Sequence, residues 1–151
     1  MLHRLRPPAL DSMGLEQALI ALCEVWQNSN QKSLCEFNAS ALPEGLNDYA
    51  CVTVYRIVQE ALTNILRHAQ AENVVITLSV EGNFLCLRIQ DDGLGMPEKI
   101  RVGGMGLLSM RERAGALGGE FSLSKAKEGD AKAGVSIEVR LPLSAHELEM
   151  T

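Results

Sequence analysis

The polar face of the helix predicted for residues 47–69 carries side chains that could act on a bound ligand. Four of them recur at every fourth position and therefore stack in one row. The row consists of Arg56, Glu60, Asn64 and His68. The amide oxygen of Asn64 suits a hard cation, Glu60 could accept a proton one turn away, and Arg67 beside the row could bind phosphate. An alternative is an i,i+4 ion pair between Arg56 and Glu60 with incidental polar neighbours.

A turn with two adjacent carboxylates forms the second candidate site. The stretch IQDDGLGMP (89–97) follows an apolar run and contains Asp91, Asp92, Gly93 and Gly95. A chain reversal needs only one glycine, whereas a metal loop would need more oxygen ligands in register. The turn fits neither of these well, and its role depends on the rest of the chain.

A second glycine-rich stretch, RVGGMGLLSM (101–110), precedes another predicted helix. Gly104 and Gly106 would let the backbone approach a ligand closely, and the free N–H groups of the helix start favour an anion. The stretch is not a Walker A loop, because no Gly-Lys-Ser/Thr follows, and the order of strands around it does not fit a Rossmann fingerprint. A mobile loop with a glycine hinge remains the alternative.

The composition limits the classes of function. The chain has 151 residues, 46% of them hydrophobic, with a formal charge of −5, so we expect one globular domain and no direct nucleic-acid binding. The four cysteines lack CxxC spacing, which argues against a zinc site and favours small buried residues in a reducing compartment. There is no membrane-length apolar stretch and no secretory signal, so we expect a cytoplasmic domain, whether or not its parent is membrane-bound.

Hydrophobic periodicity predicts the element order α-β-α-β-β-α-β-β. Residues 1–12, with two prolines, are expected to be an extended lead-in or the exit from a preceding helix. The predicted fold is α+β: a two-layer sandwich whose mixed, mostly antiparallel sheet is covered on one face by three helices. The predicted elements are helices 15–30, 47–69 and 107–117 and strands 33–39, 73–80, 83–90, 120–125 and 135–142.

Four separated motifs, in this order and spacing, resemble the ATP-binding catalytic domain of two-component sensor histidine kinases. They are QEALTNILRHA (59–69), DDGLGMP (91–97), GGMGLLSMRERA (103–114) and AGVSIEVRLP (133–142). That domain belongs to the GHKL superfamily, with its Bergerat fold, together with gyrase-type and MutL-type ATPases. The lead-in HRLRPPALDSMGLEQAL and the helix GLLSMRERAGALGG resemble the branch that partners NarL/LuxR-type response regulators. The resemblance covers residues 2–143.

The resemblance implies a role for each residue of the helix. Glu60 and Asn64 would be the catalytic residues, Glu60 as a polar or general-base position and Asn64 as the ligand of Mg²⁺. Arg67 would reach the phosphates, and His68 would lie near the nucleoside. The implied cofactors are ATP and Mg²⁺.

The two glycine-rich stretches would bind the base and the phosphates. Asp91 would accept a hydrogen bond from the adenine amino group, Gly93 and Gly95 would give the base room, and Met96 would line its pocket. Asp92 would be a solvated neighbour or a local turn acceptor. The phosphate-facing end of the ATP lid would consist of Gly104, Gly106, Leu107 and Leu108.

The sequence departs from the family pattern in two places. The last motif commonly reads Gly-Thr, but here it is Gly134-Val135, and Ser136 should point to the other face of its strand. The phosphoacceptor histidine of these kinases lies upstream of the LRP segment, and His3 is in the wrong context to be that histidine. We therefore expect a fragment.

The resemblance implies a protein-histidine kinase (EC 2.7.13.3) that passes the γ-phosphoryl of ATP to a histidine of its own dimerisation domain, from which it reaches a response-regulator aspartate. The fragment alone would only bind ATP or hydrolyse it weakly. The full-length protein would be a homodimer, with a membrane anchor left open. Residues 1–12 would lead in from the dimerisation domain, 13–143 would form the ATPase domain, and 144–151 a tail. Three alternatives remain: an anti-sigma-factor-type serine kinase, a gyrase-type or MutL-type ATPase, which would need a following transducer domain, and a degenerate nucleotide-binding module.

Overall fold

The computed structural model describes residues 8–30, 32–40, 42, 46–65, 71–93, 107–124 and 134–143. These residues form the predicted order of elements, with three helices and five strands. They are α1 (Pro8–Ser29), β1 (Leu34–Ala39), α2 (Asp48–Asn64), β2 (Asn73–Glu81), β3 (Phe84–Asp91), α3 (Leu107–Ala116), β4 (Glu120–Ser124) and β5 (Val135–Pro142). Within those ranges, no helix is both long enough and apolar enough to cross a bilayer.

The five strands form one mixed sheet in the order β1-β2-β3-β5-β4. β1 pairs in parallel with β2, and every other neighbouring pair is antiparallel. One face is apolar: the row Ile76, Ile89 and Ile137 runs across three strands and is almost completely buried. The opposite face carries the ion pair between Arg88 and Glu138 (3.1 Å). The predicted two-layer α+β sandwich is confirmed, because helices cover only the apolar face.

α1 begins earlier than the sequence predicted. Residues from Pro8 are helical up to a break at Gly14, which excludes the extended alternative over the described residues and fits the other one, the exit from a preceding helix. Proline is favoured in the first turn of a helix, where its missing N–H would have no partner in any case. The helix is kinked at Gly14, whose φ of 78° is left-handed. At the other end, the Trp26 indole Nε1–H donates to the Leu62 carbonyl of α2 over 3.0 Å and joins the two helices.

α2 is fixed at its start by a side-chain cap. The sequence left Asn47 and Asp48 as alternatives, and the structure selects Asn47, whose Oδ1 accepts from the N–H groups of Tyr49 (2.7 Å) and Ala50 (3.2 Å). The apolar residues at helical spacing, Val54, Val58, Ala61 and Ile65, are buried in the core as their spacing predicts, and Ala69 at the end of the same stripe lies outside the described residues. The helix is described as far as Asn64, and the predicted continuation to residue 69 lies outside the described residues.

The four cysteines are not equally buried. Cys23 and Cys51 lie in the core as predicted, whereas Cys35 and Cys86 are half-buried. Cys35 lies on the edge strand β1, and Cys86 lies on β3 opposite Arg140, on the polar face of the sheet. The prediction of four buried cysteines therefore holds only for Cys23 and Cys51.

Candidate functional site

The polar row of α2 faces α3. The carboxylate Oε1 of Glu60 accepts a hydrogen bond from the Ser109 hydroxyl (3.3 Å) and lies 3.5 Å from Nε of Arg113. Asn64, one turn further along, is only 5% exposed. We call these four residues the α2–α3 cluster. The alternative ion pair between Arg56 and Glu60 is not adopted, since the described cation beside Glu60 is Arg113 and Arg56 donates to Gln59 over 2.9 Å.

Several polar atoms of the α2–α3 cluster are buried without a hydrogen-bond partner among the described residues. They are Oε2 of Glu60, Nδ2 of Asn64 and Nε of Arg113. Buried polar groups in proteins are almost always paired, so such a concentration of unpaired atoms is typical of a site that a ligand completes. A 180° rotation of the Asn64 amide presents oxygen in place of nitrogen, so this residue fits an ion that takes oxygen ligands.

The end of β3 positions Asp91. Its carboxylate is 5% exposed, and Oδ1 accepts from the backbone N–H of Gly93 over 2.8 Å. Burial raises the pKa of the Asp91 carboxyl above its usual value, and hydrogen bonds from the Gly93 and Val135 backbone offset only part of that rise. Gly93 thus turns the chain back onto Asp91 and fixes one oxygen of the carboxylate.

Asp92 has a different role from its neighbour. Its Oδ1 accepts from the N–H groups of Glu72 and Asn73, and its Oδ2 accepts from the Asn73 amide, each over 2.8 Å. Although its slight burial acts in the opposite direction, the hydrogen bonds from Asn73 and Glu72 lower the pKa of Asp92. Asp92 was predicted as a possible acceptor within its own turn, but its hydrogen bonds join the end of β3 to the start of β2.

Gly134 packs directly against the backbone of this turn. A Cβ at this position would lie 1.8 Å from the Asp91 carbonyl oxygen, and the φ of Gly134 is +69°. Only glycine fits both conditions. Gly134 completes what we call the β3-terminal cluster, which also contains Asp91, Asp92 and Gly93.

β5 brings an apolar residue beside the Asp91 carboxylate. Val135 is the register partner of Asp91 and is 6% exposed. The next residue, Ser136, pairs with Gln90 and therefore lies on the opposite face, as the strand alternation predicted. No hydroxyl from these two residues reaches the side of the sheet that carries Asp91.

The remaining predicted site residues divide into two groups. Leu107 and Leu108 open α3, where Leu107 is buried in the core and Leu108 is 53% exposed. The others lie outside the described residues: Arg67, His68, Gly95, Met96, Gly104 and Gly106.

Sequence reasoning missed three residues that the structure brings to the candidate site. Ser109 and Arg113 are four positions apart, so their shared helix face was visible in the sequence, but their partner on α2 was not. Gly134 was predicted only to belong to the last motif. Its position directly before β5 was the available signal, because a glycine beside a strand often marks a close approach of two backbones.

Comparisons with known proteins identify the domain. Residues 51–145 match the model of the family described as histidine kinase-, DNA gyrase B- and HSP90-like ATPases. The chain is 32% identical over 149 residues to the sensor histidine kinase LiaS of Bacillus subtilis, covering 97% of this chain and 39% of LiaS. It is 36% identical over 124 residues to the histidine-protein kinase/phosphatase UhpB of Salmonella typhimurium, covering 82% of this chain and 25% of UhpB.

A solved structure supports the same fold. The histidine kinase domain of a blue-light activated histidine kinase from Erythrobacter litoralis superimposes with a TM-score of 0.67 at 22% identity, covering 88% of this chain and 67% of that one. The chain spans two fifths or less of the two curated relatives, 39% of LiaS and 25% of UhpB. The family match, the relatives and the fold agree: the chain belongs to the histidine kinase-, DNA gyrase B- and HSP90-like ATPase family and corresponds to the ATPase catalytic domain of sensor histidine kinases.

Proposed function

We propose that this domain binds ATP with Mg²⁺ and that Asp91 reads the adenine. The observation that carries the proposal is the buried Asp91 carboxylate, which has one oxygen fixed by the Gly93 N–H. Its other oxygen is an acceptor suited to an exocyclic amino group. Because the domain belongs to an ATPase family, this buried acceptor at the end of β3 supports the proposal that Asp91 recognises adenine.

The α2–α3 cluster is proposed to bind the metal and the phosphates. Asn64 would give an amide oxygen to Mg²⁺, which needs few protein ligands when phosphate oxygens and water fill its octahedron. Glu60 would be the polar or general-base group one turn away. The metal would neutralise charge on the phosphates, and phosphoryl transfer depends mostly on such positioning and charge.

The proposal for the whole protein goes further than this domain. The γ-phosphoryl would pass to a histidine of a dimerisation domain and then to an aspartate of a response regulator, within a homodimer. A regulator of the NarL/LuxR type is supported by the motifs of the lead-in and of α3, and by the similarity to UhpB. The domain would work on the cytoplasmic side, where ATP is available.

Asp91→Asn tests the proposal for adenine. The Gly93 N–H orients the substituted side chain, so the amide oxygen replaces Oδ1 and an NH₂ group faces the adenine amino group as a second donor. We expect ATP binding to be lost. In the wild type, ATP at 100 times its dissociation constant stabilises the fold by about 2.7 kcal/mol, which raises the melting temperature.

The matched control is Asp92→Asn, which changes the neighbouring carboxylate by the same chemistry but leaves Asp91 in place. Melting temperatures are measured with and without Mg·ATP for both variants. Equal ATP-induced shifts in wild type and Asp91→Asn would contradict the assignment of Asp91 to adenine.

A further inference from the structure

One oxygen of Glu60 is contacted by a hydroxyl group and a guanidinium group from another helix. The Ser109 hydroxyl lies 3.3 Å from Glu60 Oε1, and Arg113 Nε lies 3.5 Å from the same atom. Ser109 and Arg113 are four residues apart and so project from one face of α3 toward α2. The other carboxylate oxygen, Oε2, is buried and has no partner among the described residues.

This contact is poorly suited to a purely stabilising role. The Arg113 side chain is 39% exposed and that of Glu60 27%, and an ion pair at 3.5 Å in such a setting contributes little to folding. The strongest arginine–carboxylate pairs are frequently bidentate and use both oxygens of the carboxylate. Here Ser109 and Arg113 both approach Oε1, and Oε2 has no partner among the described residues.

The contact does restrict the carboxylate. A glutamate side chain has three rotatable bonds, and the Ser109 hydrogen bond together with the Arg113 charge beside the same oxygen restricts the orientations it can take. Oε2 then remains on the same face of α2 as the Asn64 amide, one turn away, whose Nδ2 is also buried without a described partner.

We propose that Arg113 is a positioning residue: with Ser109, it holds Glu60 by Oε1 so that Oε2 stays available beside Asn64 for phosphoryl transfer. The inference rests on the proposed function, because it gives Glu60 and Asn64 their roles at the phosphates. Arg113 itself touches neither nucleotide nor metal in this proposal. It acts only through the Glu60 carboxylate.

The test compares Arg113→Met with Arg111→Met in the full 151-residue chain. Both variants remove one arginine from α3, but Arg111 stacks over Phe121 at 5.0 Å and does not contact Glu60. In steady-state Mg·ATP hydrolysis, we expect Arg113→Met to lower kcat by about tenfold or more, with KM changed by less than about threefold. Arg111→Met should retain the wild-type kcat, and Arg113→Lys should recover part of the loss.

A double variant tests whether Arg113 acts through Glu60. In the Glu60→Gln background, Arg113→Met should lower kcat no further, because the carboxylate that Arg113 orients has been removed. Independent, multiplying losses in kcat would overturn the inference.

A second readout needs no turnover. The carbon-13 resonance of the Glu60 carboxyl carbon, measured without nucleotide, should shift in Arg113→Met and stay unchanged in Arg111→Met. An unshifted resonance in Arg113→Met would overturn the inference even if its kcat were low. Failure of the proposed function is separate: it would appear as a wild-type chain that does not bind Mg·ATP in calorimetric titration.

Discussion

The two clusters of the candidate site differ in how complete they are. In the β3-terminal cluster, four hydrogen bonds to the carboxylates of Asp91 and Asp92 are 2.8 Å long, and the backbone of Gly134 fills the space behind the turn. In the α2–α3 cluster, the contacts are 3.3 and 3.5 Å long, and three buried polar atoms lack described partners.

This difference corresponds to the two parts of the proposed ligand. A base is recognised by the directions of a few hydrogen bonds, so its site benefits from atoms that are fixed before binding. A metal–phosphate group brings its own charge and ligands, so a protein site for it is complete only when it is bound. We therefore expect the β3-terminal cluster to be rigid without ligand and the α2–α3 cluster to change on binding.

Gly134→Ala is expected to have the largest effect, because it damages the rigid cluster itself. The added Cβ would lie 1.8 Å from the Asp91 carbonyl oxygen at a φ of +69°, so the turn must move. We expect the free energy of unfolding to fall by more than about 3 kcal/mol and ATP binding to be lost.

Gly82→Ala is the matched control for Gly134→Ala. Its φ is also positive, at +60°, but a Cβ there meets nothing within 4 Å. Urea unfolding of the control should show a loss of only about 1 kcal/mol, the strain of the left-handed conformation alone. Similar losses in the two variants would mean that the contact between Gly134 and Asp91 does not hold the cluster together.

The pH dependence of ATP affinity should show a smaller effect, centred on Asp91. Because burial raises the pKa of this carboxyl above 3.8, it becomes protonated at a higher pH than an ordinary aspartate and then loses its acceptor oxygen. We expect affinity to fall by about tenfold per pH unit below that pKa. Calorimetric titration across the acid range measures it, with Asp92→Asn as the control.

The stability of the unliganded domain should change in the opposite sense at Asp91. A carboxyl whose pKa is raised in the folded state contributes stability below its unfolded value of 3.8 and loses that contribution as the pH rises through the folded value. Acidification therefore removes ATP binding while it relieves the strain of the buried charge. An affinity midpoint at or below 3.8 would contradict this interpretation.

Val135→Thr is expected to have the smallest effect. It tests the rigidity of the β3-terminal cluster by adding one hydroxyl group in place of a methyl group. Val135 lies opposite Asp91 on β5 and is buried, so a threonine hydroxyl would enter the proposed base pocket without a change of backbone. One additional neutral hydrogen bond is worth about 1 kcal/mol, or about fivefold in ATP affinity. Ser136→Thr, on the other face of β5, is the control and should leave affinity unchanged.

Local patterns in the sequence predicted most of the fold. The helical spacing of Val54, Val58 and Ala61 predicted the buried face of α2, and the two β-rich runs on either side of Gly82 predicted the strands that pair as the β2–β3 hairpin. These features depend on neighbours within one or two turns of the chain, where spacing carries the information. For residues 1–12 the sequence left open an extended lead-in or the exit from a preceding helix, because proline can either end a helix or occupy its first turn; the described part is helical.

The site was less predictable where its contacts join distant segments. An ion pair of Glu60 with Arg56 on its own helix was one alternative from the sequence, but the described cationic partner of Glu60 is Arg113 on α3. Likewise, Asp92 binds residues 72–73 at the start of β2 and not its own turn. Helix spacing does not determine which helix another will meet, so such pairs appear only in three dimensions. The roles assigned to Asp91 and Asn64 toward nucleotide and metal stay predictions.

The place of β5 in the sheet has a consequence for the order in which the domain forms. The β2–β3 hairpin can form early, since its strands are adjacent in the chain, whereas β5 must cross from the far end of the sequence to pair with β3. Gly134 reaches Asp91 only when that late pairing occurs. During synthesis, a nascent chain that ends before residue 134 would contain the helices and the hairpin but no finished β3 terminus. We expect the domain to gain its ligand site in the last step of folding, after the ribosome has released the final strand.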